Sequence, residues 1–180
     1  MPSAVRALVA LGPAYIKFGQ VLSTRPDVVG DELAIQLRVL QDKLPPFSIE
    51  QAKEMVRTEL GRPVEEVFST FSEPVAAASI AQVHKAHLAE TGEAVAVKVL
   101  RPGIEKRFGK DIDAFYFAAR MVEIFAPGAR RLRPSEVIEH FEGVVRGELD
   151  FRLESSAAGE FAATTKTDQG FTVPQVKWEH

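Results

Sequence analysis

The sequence contains no cysteine among its 180 residues. This absence excludes disulfide bonds, zinc sites built from thiolates, and catalytic thiol nucleophiles. A chain without cysteine is compatible with a reducing compartment. By elimination, the sequence predicts a cytoplasmic location.

The sequence also has little net charge and no long apolar run. Its 22 basic and 25 acidic residues are mixed along the chain and leave a formal net charge of −3. Such a balance creates no extended field that would attract a phosphate backbone, so nucleic acid is not an expected partner. No stretch approaches the ~18 apolar residues of a membrane-spanning helix, and segment 1–12 lacks a signal-peptide pattern. We therefore expect a soluble chain with one substantial core.

The first 70 residues follow a helical pattern. A predicted helix begins with Pro13 in its first turn, and Asp31 is expected to cap a second helix. Ser48 and Gln51 have the spacing of a capping box for a third helix. We interpret residues 1–70 as a helical extension.

Residues 71–180 have the pattern of a small α+β domain. Two strand-like segments, 80–88 and 94–100, surround a glycine-containing turn, which is typical of a β-hairpin. Helical spacing of apolar residues then predicts a helix over 104–125.

The last part of the sequence predicts one long helix and one strand. Ser135 is expected to cap an uninterrupted helix from residue 136 to about 158. Segment 171–178 has the composition of a strand, and Pro174 would restrict it to an edge or to the start of a strand.

Lys98 lies in the second strand of the predicted hairpin. Because side chains alternate along a strand, Lys98 shares a face with Ala94 and Ala96. Small neighbours leave room for a flat ligand, with Ala96 under a ring and the ammonium group reaching its phosphates, as in the V-A-x-K strand of kinases. The strand alone leaves a second interpretation open, in which Lys98 ends an edge strand in water and discourages aggregation.

A buried lysine requires a counter-charge, and the predicted long helix offers Glu148, Asp150 and Glu154. Asp150 and Glu154 are four residues apart and would share one face of that helix, whereas Glu148 would lie well over a quarter-turn away. The acids are therefore expected to serve two different partners. Composition leaves open the alternative of a solvated helix face with weak ion pairs.

Three blocks, taken in order, resemble the UbiB family of atypical kinase-like proteins, whose known members support ubiquinone biosynthesis. The first is K-x-G-Q at 17–20, followed by LSTRPD. The second is AAASIAQVH at 76–84, which leads into VAVKVLRPG at 95–103. The third is E-x-D at 148–150, followed by FRLE. The likeness extends over residues 11–179.

The resemblance implies the architecture of a kinase-like small lobe. An antiparallel sheet of few strands with a long helix would follow the helical extension 1–70, which carries K-x-G-Q. Residues 71–180 would hold the alanine-rich loop, the lysine strand, the E-x-D helix and a fourth strand. The catalytic loop and the D-F-G-like aspartate of a second lobe have no counterpart in this sequence, so this chain alone is expected to be inactive.

The resemblance also implies a nucleotide site on the lysine strand. Lys98 would contact the phosphates of ATP or ADP, and Glu154 would hold Lys98 in place. Alanine replaces the glycines with which other kinases cradle phosphate, which narrows the conformations of the loop and in the family is associated with altered nucleotide choice. Ligands of the accompanying Mg²⁺ would lie beyond His180, so no metal ligand is predicted here. The other residues expected to line the nucleotide are Ala76, Ala77, Ala78, Ser79 and Ala96.

In the family, the K-x-G-Q helix lies over the nucleotide pocket and contacts the E-x-D acids. Lys17 and Gln20 are three residues apart on one helical turn and are therefore expected to project together. The resemblance assigns Lys17 to Glu148 or Asp150. Without the surrounding string, Lys17 and Gln20 would be taken as ordinary surface residues.

For function, the resemblance implies an atypical kinase or ATPase in ubiquinone biosynthesis. The alternative is a non-catalytic nucleotide-sensing or scaffold module that binds quinone-precursor lipids or the enzymes of that pathway. Either would be compatible with peripheral association with the inner membrane. Arg130, Arg131 and Arg133 form a small basic cluster that is interpreted first as a solvated turn, with binding of anionic lipid as the alternative.

Two further groups of residues are expected to have structural roles. His84 and His87 are three apart on a strand and so lie on opposite faces, which argues against a shared metal ion. The aromatic residues of segment 104–125 are expected to belong to the core, with a docking face for a lipid or a partner as the alternative.

Overall fold

The computed structural model describes residues 2–41 and 45–178. Within them, a three-stranded antiparallel sheet in the order β1-β2-β3 is preceded in the chain by one group of helices and followed by another. This is the predicted α+β arrangement of a small lobe with a helical extension. The strands are β1 (Phe68–Ala77), β2 (Ala81–Leu88) and β3 (Ala94–Leu100). The helices are α1 (Ser3–Leu11), α2 (Pro13–Leu22), α3 (Pro26–Val29), α4 (Asp31–Leu37), α5 (Ile49–Leu60), α6 (Val64–Val67), α7 (Ile104–Phe125), α8 (Pro134–Leu149) and α9 (Phe151–Thr164).

One face of the sheet is open. Val83 lies opposite Lys98, Lys85 lies opposite Ala96, and Ala76 of β1 lies opposite Val83. Residues directly opposite each other in an antiparallel ladder point to the same side, so these five side chains share one face. Val83 is half-buried, and the other four are exposed. The predicted face of Lys98 is therefore an accessible surface that combines two alanines and a valine with two lysines.

The other face of the sheet is buried against α5 and α6. Ala86 and Val99 of the sheet pack with Ala52 and Val56 of α5. The predicted capping box starts α5, because the Ser48 side chain and the Gln51 side chain each bond the backbone of the other residue. Helices α5 and α6 thus share a core with the sheet, although they precede the predicted boundary at residue 70.

The largest core joins α2, α7 and α8. Phe108 and Phe141 are 1% and 0% exposed. The ring of Phe18 lies 4.8 Å from that of Phe115 and 5.1 Å from that of Phe141, measured between centroids. Burial of one such side chain contributes ~1.5–3 kcal/mol, and ring pairs in these geometries add ~0.5–1.5 kcal/mol. This cluster holds the K-x-G-Q helix α2 against the E-x-D helix α8.

A smaller core joins α1, α2 and α4 to the 3₁₀ turn Arg38–Gln41 that follows α4. Its buried members are Val5, Ile16, Leu37 and Leu40. Because α2 contributes to both cores, its position is fixed from two sides.

The predicted uninterrupted helix over 136–158 is wrong. Asp150 has extended backbone angles, φ −94° and ψ 92°, which end α8. Its carboxylate accepts a hydrogen bond from the backbone N–H of Arg152 at 3.0 Å and caps α9. An aspartate can satisfy a free N–H at a helix start better than it can serve a helix interior, so the chain breaks here.

The predicted fourth strand over 171–178 is also wrong. Residues 171–177 have no strand structure, and Trp178 lies in a turn. Lys177 Nζ is 2.8 Å from the carboxylate of Glu93, so the segment reaches the turn between β2 and β3 through an ion pair. Pro174 has no N–H to donate to a ladder, which opposes strand pairing in this segment.

Two predicted caps lie inside their helices instead. Helix α4 starts at Asp31 itself, after Gly30 as the N-cap residue. Helix α8 starts at Pro134, one residue before Ser135, because proline is well suited to the first helical position.

No helix within residues 2–41 and 45–178 combines the length and apolarity that crossing a bilayer requires.

Candidate functional site

Lys98 meets a carboxylate from the first turn of α9. Its Nζ lies 2.5 Å from Oε2 of Glu154 and 4.6 Å from the centre of the Phe151 ring. The ammonium group is thus held by a carboxylate and an aromatic face, both from the start of α9. The Lys98 side chain is 37% exposed, so it is anchored yet reachable from the open face of the sheet.

The break at Asp150 produces this arrangement. Phe151, the first residue of α9, packs against the core formed by α2, α7 and α8. The first turn that contains Phe151 and Glu154 therefore lies beside Lys98, 56 residues away from Glu154 in sequence. The phenylalanine in this contact was not anticipated, although it follows E-x-D directly in the sequence.

Lys17 of α2 pairs with Glu148 near the end of α8. The Nζ to Oε2 distance is 2.6 Å, and the two side chains are 15% and 39% exposed. Of the two acids considered for Lys17, the structure therefore brings Glu148 to it. Asp150 instead bonds the Arg152 guanidinium at 2.8 and 2.9 Å, and these hydrogen bonds lower the pKa of Asp150.

Gln20 has a different partner from Lys17, contrary to the expectation that the two would project together. Its Nε2 donates to the backbone carbonyl of Leu40 at 2.6 Å. This bond ties α2 to the 3₁₀ turn after α4. Of the two polar K-x-G-Q side chains, Lys17 is thus the one that pairs with the E-x-D helix, and Gln20 is not.

The alanine-rich turn joins β1 to β2. Its Ala78 N–H donates to the carbonyl of Ala81 at 2.8 Å, which closes the turn. Ala76 and Ala78 are exposed and Ala77 is half-buried, whereas Ser79 is only 6% exposed. Of the four predicted lining residues in this turn, Ser79 therefore presents the least surface to a ligand.

Two residues of the site were missed in the sequence. Val83 lies directly opposite Lys98 and beside Ala76, on the open face. Arg101, just after β3, donates from its guanidinium to the carbonyl of Ala78 at 3.2 and 3.0 Å. The alternation of β2 would have placed Val83 once the register was known, but no local pattern indicates the contact of Arg101.

The arrangement suits a flat ligand that carries an anionic tail. Val83 and Ala96 offer a low apolar surface on the open face, and Lys98 supplies a cation at its edge. An ammonium group has three N–H donors, so the bond to Glu154 leaves donors for phosphate oxygens. The residues present thus fit a nucleotide. Its binding by these residues stays a prediction.

The histidines of β2 take part in local hydrogen bonds. His84 is fully buried. Its Nδ1–H donates to the carbonyl of Ser72 at 2.7 Å, and its Nε2 accepts from the Gln82 amide at 2.9 Å. His87 Nδ1 lies 2.7 Å from the hydroxyl of Thr70. Across the described ranges 2–41 and 45–178, no group of three or more His, Asp or Glu side chains is arranged for a metal ion.

The aromatic residues of α7 divide between the core and the surface. Phe115 is 8% exposed and belongs to the core, as expected. Phe117 and Phe125 are 66% and 78% exposed, so the expectation of a core role is wrong for them. Tyr116 is half-buried and bonds Glu142 of α8.

Two clefts of about 440 and 340 Å³ lie away from Lys98, around the start of α8. Arg130, Arg131 and Arg133 of the predicted basic cluster line them. Arg133 there pairs with Glu136 at 3.1 Å. Because acids in these clefts offset the arginines, the open sheet face is the better candidate site despite being shallow.

Comparison with known proteins identifies the family to which this sequence is similar. Residues 39–180 match the ABC1 atypical kinase-like domain. Three relatives named "Probable protein kinase UbiB", from Marinobacter nauticus, Pseudomonas fluorescens and Aliivibrio fischeri, are 41%, 42% and 44% identical over 175, 174 and 171 residues. The alignments cover 97%, 96% and 94% of this chain but 32%, 32% and 31% of the relatives. The chain spans about a third of the length of the curated relatives it matches.

Proposed function

This chain belongs to the ABC1 atypical kinase-like family, and from that premise we propose that it forms the nucleotide-binding lobe of an atypical kinase or ATPase acting in ubiquinone biosynthesis. The name of the relatives, "Probable protein kinase UbiB", supports phosphoryl-transfer chemistry, and the ubiquinone pathway follows from the UbiB resemblance. The observation that carries the proposal is the ion pair between Lys98 and Glu154 at the edge of an open sheet face.

Each residue of the site has a defined task in this function. Lys98 binds the α- and β-phosphates of ATP or ADP, and Glu154 keeps its ammonium group in position. Val83 and Ala96 lie against the flat face of the base. When bound, Mg²⁺ would neutralise charge on the phosphates; within residues 2–41 and 45–178, no group of three or more His, Asp or Glu side chains is arranged to hold it.

The Lys17–Glu148 pair supports a gating role for the K-x-G-Q helix. It connects α2 to α8 directly before the break that sets the position of Glu154. A shift of α2 would therefore be transmitted to α8 and to the counter-ion of Lys98. Gln20 contributes by holding α2 in place through Leu40.

Substitution of the lysine tests the site directly. In the full protein, Lys98→Ala should abolish measurable binding of ATP and ADP in titration calorimetry, because the phosphates lose their cation. Glu154→Gln should weaken binding less, since the ammonium group remains but loses its anchor. Affinities equal to those of the unaltered protein in Lys98→Ala would refute the proposal.

Lys53 offers a matched control for this experiment. It is 40% exposed and pairs with Glu65 at 3.3 Å, much like Lys98 and Glu154, but it belongs to α5 behind the sheet. Lys53→Ala removes the same charge from a similar ion pair, so it should leave nucleotide affinity unchanged.

The exposed apolar face of α7 favours a second candidate function. Phe117, Ile124 and Phe125 are 66%, 56% and 78% exposed. A non-catalytic scaffold at the cytoplasmic side of the inner membrane could use this face to bind a quinone-precursor lipid or a pathway enzyme. An ATP-turnover assay of the full protein distinguishes the two functions. Turnover that disappears in Lys98→Ala would support the kinase or ATPase, and absence of turnover in the unaltered protein would favour the scaffold.

A further inference from the structure

Arg101 joins two separate loops through its side chain. Its Nε and Nη2 lie 3.2 and 3.0 Å from the carbonyl oxygen of Ala78, and Nη2 lies 2.8 Å from that of Pro45. The guanidinium carbon stands 5.6 Å from the centre of the Phe47 ring. The backbone N–H of Arg101 also donates to the carbonyl of Ile80 at 2.8 Å. One residue thus holds both the alanine-rich turn and the segment before α5.

The partly buried environment of the Arg101 guanidinium favours strong hydrogen bonds with a defined geometry. Burial lowers the pKa of Arg101, which shows that the group is partly withdrawn from water. Arginine nevertheless stays charged at neutral pH, so its hydrogen bonds to the two carbonyls are charge-assisted. A planar guanidinium that donates to two carbonyls fixes their relative position more rigidly than an ammonium group, whose three donors rotate on a flexible stem.

Gln82 holds the same segment from the other side. Its Oε1 accepts from the Phe47 N–H at 3.0 Å, and its Nε2 donates to the Phe47 carbonyl at 3.3 Å. Gln82 is 1% exposed, and His84 holds its amide group at 2.9 Å. Residues 45–47 are therefore bound to the sheet at two points.

The bond to Ala78 determines the direction of one N–H group of the turn, that of Ser79, whereas the N–H of Ala78 already donates to the carbonyl of Ala81. The peptide unit is planar and trans, so a fixed carbonyl of Ala78 sends the N–H of Ser79 in the opposite direction. Backbone N–H groups of a turn between two strands are the donors that can approach phosphate. Alanine already narrows the backbone conformations of the turn relative to glycine, and the Arg101 guanidinium adds a restraint on its orientation.

We propose that Arg101 is a positioning residue for nucleotide binding, which sets the orientation of the alanine-rich turn at residues 76–79 and couples it to segment 45–47. The proposal rests on the proposed nucleotide site. It makes the turn a pre-shaped phosphate contact whose form depends on the chain that leads into α5.

The test uses nucleotide affinity and selectivity in the full protein. Arg101→Ala and Arg101→Lys should weaken ADP and ATP binding in calorimetry by about tenfold and about threefold, and should change the ADP-to-ATP affinity ratio. A purely structural role would lower the melting temperature without a change in this ratio. Hydrogen exchange without nucleotide should accelerate at residues 78–81 in Arg101→Lys, which keeps the charge and remains informative if Arg101→Ala does not fold.

Arg107→Ala is the matched control. Arg107 also donates to a backbone carbonyl at 3.2 Å, but that carbonyl belongs to Leu11, the last residue of α1, and not to the alanine-rich turn. Its removal should leave both affinities and their ratio unchanged.

The outcomes separate this inference from the proposed function. No nucleotide binding by the unaltered protein would overturn both. Binding that is lost in Lys98→Ala, yet keeps its strength and its ADP-to-ATP ratio in Arg101→Lys and Arg101→Ala, would overturn the role of Arg101 alone.

Discussion

Gly19, within the K-x-G-Q string, lies where α2 approaches two leucines. A Cβ atom at this position would stand 2.3 Å from Cδ1 of Leu40 and 2.9 Å from Cδ1 of Leu8. Leu40 is 4% exposed, so its side chain has little space to move aside. The glycine thus permits the close approach that lets Gln20 reach the carbonyl of Leu40.

Gly19→Ala should therefore lower the free energy of unfolding by about 1–2 kcal/mol. Overpacking in a core typically costs ~1–3 kcal/mol, and the better helix propensity of alanine offsets at most ~1 kcal/mol of it. Urea denaturation followed by circular dichroism measures the difference.

Gly109 and Gly143 provide controls for this substitution. Both lie inside helices, and no heavy atom lies within 4 Å of an added Cβ. Alanine at either position should stabilise the protein by ~0.5–1 kcal/mol through helix propensity alone. A Gly19→Ala variant that is stabilised to the same extent would contradict the close contact with Leu40.

At the scale of elements, α7 and α8 are joined across their surface by a small polar network. The hydroxyl of Tyr116 donates to Oε2 of Glu142 at 2.9 Å, and Arg146 donates to Oε1 at 2.9 and 2.6 Å. The bonds from Arg146 and then from Tyr116 lower the pKa of Glu142. The same carboxylate raises the pKa of Tyr116.

This network should stabilise the protein at neutral pH, and the stabilisation should be lost at acidic pH. The folded-state pKa of Glu142 lies below its ordinary value of 4.5, so the folded state binds fewer protons than the unfolded state in this range. The contribution of the Glu142 carboxylate to folding stability is complete above pH 4.5 and is lost as the pH falls through the folded-state pKa. At neutral pH, Glu142→Gln and Tyr116→Phe should each cost about 1 kcal/mol.

Unfolding measured over a range of pH tests this account. The stability difference between the unaltered protein and Glu142→Gln should shrink once the pH falls below 4.5. If the stability difference between the two proteins stays constant below pH 4.5, the Glu142 side chain contributes through its shape and not through its charge.

At the scale of the whole molecule, α9 is weakly attached. None of its residues is buried. Phe151 packs against the main core, and Glu154 bonds Lys98 on the sheet. By contrast, α5 buries Ala52 and Val56 behind the same sheet. The counter-ion of Lys98 therefore sits on an element whose position depends on few contacts, which suits a site that responds to a ligand.

Glu154→Gln should accelerate amide hydrogen exchange throughout α9 and leave α5 unchanged. The substitution replaces a charged bond to Lys98 with a weaker neutral one, while the core that holds α5 is on the opposite face. Exchange followed by mass spectrometry measures both helices in one experiment. If the amides of α9 are equally protected from exchange in the unaltered protein and in Glu154→Gln, the ion pair between Lys98 and Glu154 does not hold this helix in place.

The sequence by itself determined the features that depend on near neighbours. Ser48 and Gln51 lie three residues apart and cap α5 as predicted, because each finds its partner within one turn. The alternation of β3 placed Lys98 and Ala96 on one face, since strand geometry has a period of two. The E-x-D string and the K-x-G-Q string indicated the family, and Glu154 was assigned to Lys98 from the resemblance.

Only the tertiary structure decided the choices that depend on distant partners. Nothing local to Asp150 shows whether it continues one helix or caps another, because the answer rests on Phe151 reaching a core built from α2, α7 and α8. Gln20 found the carbonyl of Leu40, and Arg101 found that of Pro45, 20 and 56 residues away. A polar side chain has many equivalent partners in an unfolded chain, and the packing of the cores selects one of them.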